Sequence, residues 1–279
     1  MAPIFSFCNV SVMPVRSEPN HRAEQTTQLL YGEKAQILEV NNREWARIRC
    51  EWDGYEGWCK HSQLTEITRR DYIKTTKYLS ATHNGKIIFD RDEMSIPLGS
   101  ELVGMRGGML KAANTEGQFK GKKINVTETV LMAEYVKENA LQYMHAPYLW
   151  GGRSLAGIDC SGLVQMAFKF CNYALPRDAS QQAHKGVLVE FLQNAQCGDV
   201  AFFDDKEGRI VHVGILLDNQ NIIHATDSSG RVVIDRIDLG GIVSVSLRKR
   251  THNLRVVKRI IGNETTNEVP EGLFPADLI

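Results

Sequence analysis

Apolar residues in the first 67 positions come in short runs broken by turn residues. Ala35–Val40, Trp45–Cys50 and Gly57–Cys59 are separated by Asn41-Asn42 and Asp53-Gly54. Within Trp45–Cys50, Trp45, Arg47 and Arg49 alternate with Ala46, Ile48 and Cys50, the period-2 signature of a strand. Short alternating strands at close spacing predict a small all-β barrel over 1–67, with a hairpin at Asp53-Gly54. The pattern weakens over 68–125, where Tyr78–Ala81, Lys86–Asp90 and Ser100–Met105 read as strands and Gly104, Gly107 and Gly108 as turns, an order that fits a second barrel. Over 126–262 the period changes. Val130, Ala133, Val136, Lys137 and Leu141 follow helical spacing, and Leu163, Val164, Ala167, Phe168 and Cys171 define one helical face. Strands follow at Val200–Phe203, Val211–Leu217, Asn221–Ala225 and Arg231–Ile234, so helices precede a meander of strands, an α+β order. Residues 263–279 form a polar tail expected to wrap the surface.

Composition narrows the function classes. The chain has 279 residues, more than one hydrophobic core usually serves, so it is multidomain. Hydrophobic residues make up 43% and charged residues 24%, which excludes a disordered or fibrous chain. Lys+Arg and Asp+Glu are both 33, so the net charge points to no nucleic-acid or membrane partner. The cluster Arg248-Lys249-Arg250 with Arg255, Lys258 and Arg259 reads as a solvated strand face. Met1 to Val15 carries no Lys or Arg ahead of its apolar residues, so no secretion signal is legible and a cytoplasmic location is expected. The six cysteines (8, 50, 59, 160, 171, 197) form no C-x-x-C and no disulfide framework, which suits reduced thiols. There is no H-E-x-x-H and no G-x-G-x-x-G, so neither a metal nor a dinucleotide cofactor is expected. Oligomeric state is not legible.

The chemistry concentrates in the third segment. In Gly157-Ile158-Asp159-Cys160-Ser161-Gly162, Asp159 is a good helix N-cap and places Cys160 in the first turn. The exposed N–H groups and the macrodipole there favour a thiolate. Cys171 and Cys197 fit ordinary packing roles, whereas Cys160 has polar neighbours. A nucleophilic thiol needs a base. In Val211–Leu217, His212 occupies the face opposite Val211, Val213 and Ile215, beside Gly214. A turn centred on Asp218 would set His212 and His224 opposite each other on one face of a hairpin; a turn shifted by one residue would break that alignment. With it, His212 takes the thiol proton and His224 orients its ring.

Two resemblances attach to these residues. Val15-Arg16-Ser17-Glu18-Pro19, Gly32-Glu33 and Gly54-Tyr55-Glu56-Gly57-Trp58 resemble the bacterial SH3-like repeat. Ala146-Pro147-Tyr148-Leu149-Trp150-Gly151-Gly152, Asp159-Cys160-Ser161-Gly162, Pro176-Arg177-Asp178, Gly198-Asp199-Val200, Val211-His212-Val213-Gly214 and Ile223-His224-Ala225 resemble, in this order, the NlpC-type cysteine peptidases, a papain-like bacterial family. The resemblance implies an α+β papain-like domain over 126–262 behind the SH3-like barrel or barrels. It also implies Cys160 as nucleophile, His212 as base, His224 as orienting residue and Tyr148 as an oxyanion donor beside the Cys160 N–H.

The family hydrolyses cell-wall peptides. With the SH3-like segment and Arg177-Asp178, the chain is further similar to γ-D-glutamyl-L-diamino-acid peptidases of murein recycling, which accept L-Ala-γ-D-Glu-diamino-acid peptides with a free amine. That similarity makes Asp178, Ser161, Trp150, Tyr55 and Glu18 candidate substrate contacts, with Tyr31 competing for the tyrosine role. The alternatives are a general wall hydrolase of the same family and a non-catalytic wall-peptide binding protein.

Overall fold

The computed structural model describes residues 3–262. The chain divides into two compact units. Among the described residues, one comprises 3–129 and 150–155, the other 130–149 and 156–262. The tail 263–279 lies outside the described residues.

The first unit begins with seven antiparallel strands: β1 (Ile4–Cys8), β2 (Val12–Arg16), β3 (Gln25–Leu30), β4 (Lys34–Val40), β5 (Trp45–Cys50), β6 (Glu56–Lys60) and β7 (Leu64–Ile67). They form one sheet in the order β3-β2-β6-β5-β4-β1-β7. Period-2 burial puts Met13, Val15, Leu29, Ile37, Ile48 and Cys59 into a single core, as the barrel expectation requires. At Asp53-Gly54 the β5–β6 hairpin turns with Gly54 at φ +70°.

After a one-turn helix α1 (Arg69–Tyr72) come β8 (Tyr78–Ser80), β9 (Gly85–Ile88), β10 (Glu93–Ile96), β11 (Met109–Ala112), β12 (Thr115–Lys120) and β13 (Lys123–Asn125). Strands β10-β9-β12-β11 make a four-stranded sheet, and β8 pairs with β13. Residues 100–105, expected as a strand, form turns with a lone bridge from Glu101 to Leu79. Phe7 of β1 and Tyr31, in the turn after β3, share a core with Ile87, Ile96, Leu110 and Phe119, so the two β layers pack as one body. Gly32 makes this approach possible. It sits at φ +83°, and a Cβ there would lie 1.9 Å from the Glu101 carbonyl oxygen. The short β14 (Arg153–Ser154) belongs to the same unit. Arg153, 3% exposed, holds Glu33 at 2.7 and 3.0 Å and donates to the Gln28 carbonyl at 2.8 Å.

The second unit holds α2 (Ala133–Leu141), β15 (Gly157–Ile158), α3 (Cys160–Lys169), α4 (Ala179–Gln182) and seven strands: β16 (Val187–Val189), β17 (Val200–Asp204), β18 (Ile210–Leu216), β19 (Asn221–Thr226), β20 (Arg231–Asp238), β21 (Gly241–Ser244) and β22 (Lys249–Arg259). The strand order is β16-β22-β17-β18-β19-β20-β21, and β21 also pairs with β22. Six strands therefore close on themselves, and each supplies an inward residue to one core: Phe203, Leu216, Ile222, Ile237, Ile242 and Val257. The α3 pattern predicts one apolar face, yet all ten residues of α3 are buried. The helix is central, packed against α2, β18 and β19, so Gln165 and Lys169 are enclosed with the apolar residues. Asn139 of α2 donates to the Ala167 carbonyl at 3.2 Å.

The basic cluster near the end of the described chain is matched by carboxylates. Arg250 pairs bidentately with Asp238, and Arg259 with Asp199.

Candidate active site

The site is built at the start of α3. Asp159 adopts extended φ/ψ and its carboxylate accepts the Gly162 N–H at 2.7 Å, closing the helix N-terminus. That cap fixes Cys160 as the first helical residue. The Asp159 carboxylate is in turn held by Arg177, from Nη1 at 3.0 Å and Nη2 at 2.5 Å, and Arg177 also donates to Ser161 Oγ at 2.7 Å. Arg177 is among the largest fully buried side chains of the described chain. In the sequence Arg177 stands out only as the neighbour of Asp178; its place under the helix cap emerges from the fold.

The Cys160 thiol reaches the backbone N–H of Val213, the residue after His212. This brings the helix start against β18. Burial pushes the thiol up to about 12, and the Asp159 charge pushes it the same way. The helix N-terminus was expected to favour a thiolate. Its contribution is about 0.3–1 kcal/mol at an exposed terminus, and burial of a thiol only 6% exposed outweighs it. The resting residue is a neutral thiol.

The β18–β19 hairpin pairs Ile215 with Ile223 and Leu216 with Ile222, so its turn centres on Asn219 rather than Asp218. Asp218 causes the shift. Its carboxylate accepts the N–H of Gln220 at 2.7 Å and of Asn221 at 2.8 Å, an Asx-type turn. The register puts Gly214, not His212, opposite His224. The two histidines share a face as diagonal neighbours, within reach of long side chains. Gly214 leaves the space, because a Cβ there would lie 2.9 Å from the His224 Cβ. The His224 ring leans across, and its Nδ1 lies 2.8 Å from His212 Nε2.

Both histidines are buried, at 5% and 0% exposure. Burial, then the neighbouring His224 and His252 rings, holds the His212 imidazole well below its usual range, so it rests neutral. His252 of β22 stacks on His212 with centroids 3.9 Å apart and rings 18° from parallel. Alternation counted back from the inward Val257 would turn His252 outward. A bulge at Phe202/Phe203 skips Arg255 and brings Leu254 and His252 inward instead. One ring nitrogen from each of His212, His224 and His252 lies within 4.8 Å of the other two. The 2.8 Å contact is a hydrogen bond, and near-parallel rings do not converge their lone pairs on one ion, so the cluster suits proton transfer better than cation binding.

Tyr148 is half-buried beside this centre. Burial, then the Cys160 and Asp159 charges, raises its phenol, so it keeps its proton and remains a donor. Its backbone N–H donates to the Gly230 carbonyl at 2.8 Å. Asp178 is half-buried at the N-cap position of α4, but its side chain does not cap that helix. The remaining candidates lie in the first unit. Trp150 is 58% exposed and its indole N–H donates to Glu24 Oε1 at 2.6 Å. Glu18 is exposed in a turn, with Asn20 Nδ2 3.4 Å from its carboxylate. Tyr55 packs against the barrel core, and Tyr31 is buried in the core shared by the two β layers.

A cysteine at a capped helix start, its thiol at the N–H that follows a buried, hydrogen-bonded histidine, is an arrangement suited to a thiol hydrolase. Residues 145–250 match the NlpC/P60 family, and residues 15–64 match the bacterial dipeptidyl-peptidase SH3 domain. A γ-D-glutamyl-L-lysine dipeptidyl-peptidase of Bacillus subtilis is 30% identical over 226 residues, covering 75% of this chain and 74% of its own. Dipeptidyl-peptidase 6 of Lysinibacillus sphaericus is 25% identical over 253 residues, covering 80% and 88%. The crystal structure of an NlpC/P60 family protein from Bacillus cereus superposes with a TM-score of 0.77 at 17% identity, over 92% of this chain and 99% of that one. The chain belongs to the NlpC/P60 family of cysteine peptidases and carries an N-terminal SH3-like domain.

Proposed function

We propose that the protein hydrolyses the γ-D-glutamyl–L-diamino acid bond of murein peptides that begin with a free L-Ala, in the recycling of wall peptides. The observation that carries the chemistry is the placement of the Cys160 thiol at the Val213 N–H, beside the hydrogen-bonded pair His212–His224. The substrate class is supported by the activities for which the relatives that align with most of this chain are named.

In this reading the Cys160 sulfur attacks the γ-carbonyl of D-Glu as its proton passes to His212. Substrate binding excludes water, so the two opposite charges form together rather than singly. The oxyanion is met by the Tyr148 O–H and the Cys160 N–H. The tetrahedral intermediate collapses and the C–N bond breaks. His212 returns its proton to the departing amine of the diamino acid. Water, deprotonated by His212, then releases L-Ala-γ-D-Glu and restores the thiol. Asp178 is the candidate partner for the substrate's ammonium.

The test compares L-Ala-γ-D-Glu-diamino-acid peptides with their N-acetylated forms and with intact wall, in wild type and Asp178→Ala. The reading expects strong preference for the free peptide and loss of that preference in Asp178→Ala. Equal cleavage of free and acetylated peptides by wild type makes the protein a general wall hydrolase instead.

A further inference from the structure

The hydrogen-bonded histidine pair does not end at His224. His224 Nε2 lies 3.3 Å from Asp235 Oδ2, and both side chains are enclosed, at 0% and 3% exposure. The backbone explains why they meet. Across β19 and β20, His224 pairs with Val233 and Ile222 pairs with Asp235. Asp235 is therefore the diagonal neighbour of His224, as His224 is of His212. The three residues form a line across three adjacent strands, β18, β19 and β20, on the inward face of the closed sheet. The other Asp235 oxygen, Oδ1, accepts the Val245 N–H at 2.8 Å, which anchors the carboxylate from β21's far end. Burial works against its charged form. Hydrogen bonds from His224 and from the Val245 N–H prevail and hold its carboxyl below the usual aspartate value, so it is ionised at neutral pH.

An ionised carboxylate can only accept. Facing Asp235, His224 Nε2 must carry the hydrogen. A neutral imidazole then has a bare Nδ1, which must accept from His212 Nε2–H. His212 Nδ1 is left as the free lone pair. We propose that Asp235 is a positioning residue that sets the tautomer of both histidines, and that its charge balances the imidazolium formed at His212 through the intervening His224 ring. A reversed tautomer at His224 would put the hydrogen on His212 Nδ1 and remove the base. The other titratable groups around the pair are Cys160 at the start of α3 and the stacked His252 of β22; Asp159, Arg177 and Tyr148 surround Cys160. None of these faces His224 Nε2 as an acceptor in place of Asp235.

The kinetic part of the test rests on the hydrolase reading above; the spectroscopic part does not. In the full chain, ¹⁵N spectra of labelled histidines should show His224 protonated at Nε2 and bare at Nδ1 near pH 7. Protonation at Nδ1, or at both nitrogens, overturns the proposal, whatever the substrate proves to be. In Asp235→Asn and Asp235→Ala, kcat should fall about 10–100-fold, by analogy with the carboxylates that orient metal-binding histidines from behind, with KM little changed. The acid limb of kcat/KM should move to lower pH, because the imidazolium has lost its counter-charge. A lower active fraction from misfolding would leave that limb in place. Unchanged kcat and an unmoved limb overturn the proposal. Where a variant fails to fold, the tautomer of the wild type decides the matter. Absence of murein-peptide cleavage with the expected tautomer present contradicts the functional reading alone.

Discussion

Arg177 closes a two-pronged ion pair on Asp159, the residue that caps the helix carrying Cys160. The side chains are 1% and 7% exposed, so the pair is enclosed. The same guanidinium reaches Ser161 Oγ, which ties the first turn of α3 to the loop before α4. Removing one member of a buried pair leaves the other charged and unmatched. Arg177→Ala should therefore cost about 3–5 kcal/mol of stability. Arg177→Lys, which keeps the charge without the fork, should recover only part of it. Denaturant unfolding of the three proteins checks this. Equal stability of wild type and Arg177→Ala would remove the pair from the account of how Cys160 is placed.

The roles of the two histidines separate by substitution. His212→Ala removes the proposed base and should cost about 10²–10⁴ in rate. His224→Gln leaves an amide oxygen that can still accept from His212 Nε2–H, so it should lose less than His224→Ala. Steady-state rates on one peptide decide it; equal losses for Gln and Ala would mean that His224 does more than orient His212.

The resting protonation state has its own signature. The thiol is held near 12 by burial and His212 is held below its usual range, so the pair is neutral at pH 7. Alkylation by iodoacetamide, which follows the thiolate, should therefore be slow at pH 7 and rise steadily above pH 8. A preformed thiolate–imidazolium pair would give fast alkylation that stays level down to about pH 5, contrary to this account.

Buried neutral histidines also tie stability to pH. Burial lowers His252 to about 4 from an ordinary value of 6.5, and His212 shifts the same way. Above pH 6.5 both folded and unfolded chains hold these rings neutral. As pH falls from 6.5 towards 4, the unfolded chain takes up protons that the folded chain refuses, and stability is lost. Melting temperature should be level from pH 8 to 7 and fall below 6.5. His252→Phe keeps a flat ring on His212 but cannot titrate, so its fall should be shallower. Identical slopes for the two proteins would show that His252 does not contribute.

How much of this was legible in the sequence differs from residue to residue. Cys160 was readable because a cap, a small residue and a helical run follow in a fixed local order. His212 and His224 were readable as strand residues facing one way, although the turn was misplaced by one residue. The Asx-turn at Asp218 sets the centre, and the shift keeps both rings on one face because it moves the register by two. Asp235 was not readable. In Val232-Val233-Ile234-Asp235-Arg236 it looks like a solvated strand charge, and it turns inward because the sheet closes through β21 and β22. His252 was hidden by the bulge that skips Arg255. The expected thiolate failed for another reason: sequence shows the helix start but not the depth at which it is buried.

The measurement closest to the central claim is product analysis by mass spectrometry after incubation of L-Ala-γ-D-Glu-diamino-acid peptide with wild type and with Cys160→Ala, with Cys171→Ala as the control. Wild type and Cys171→Ala should release L-Ala-γ-D-Glu and free diamino acid, and Cys160→Ala should leave the peptide intact. Cleavage at another bond, or substantial hydrolysis by Cys160→Ala, would contradict that claim.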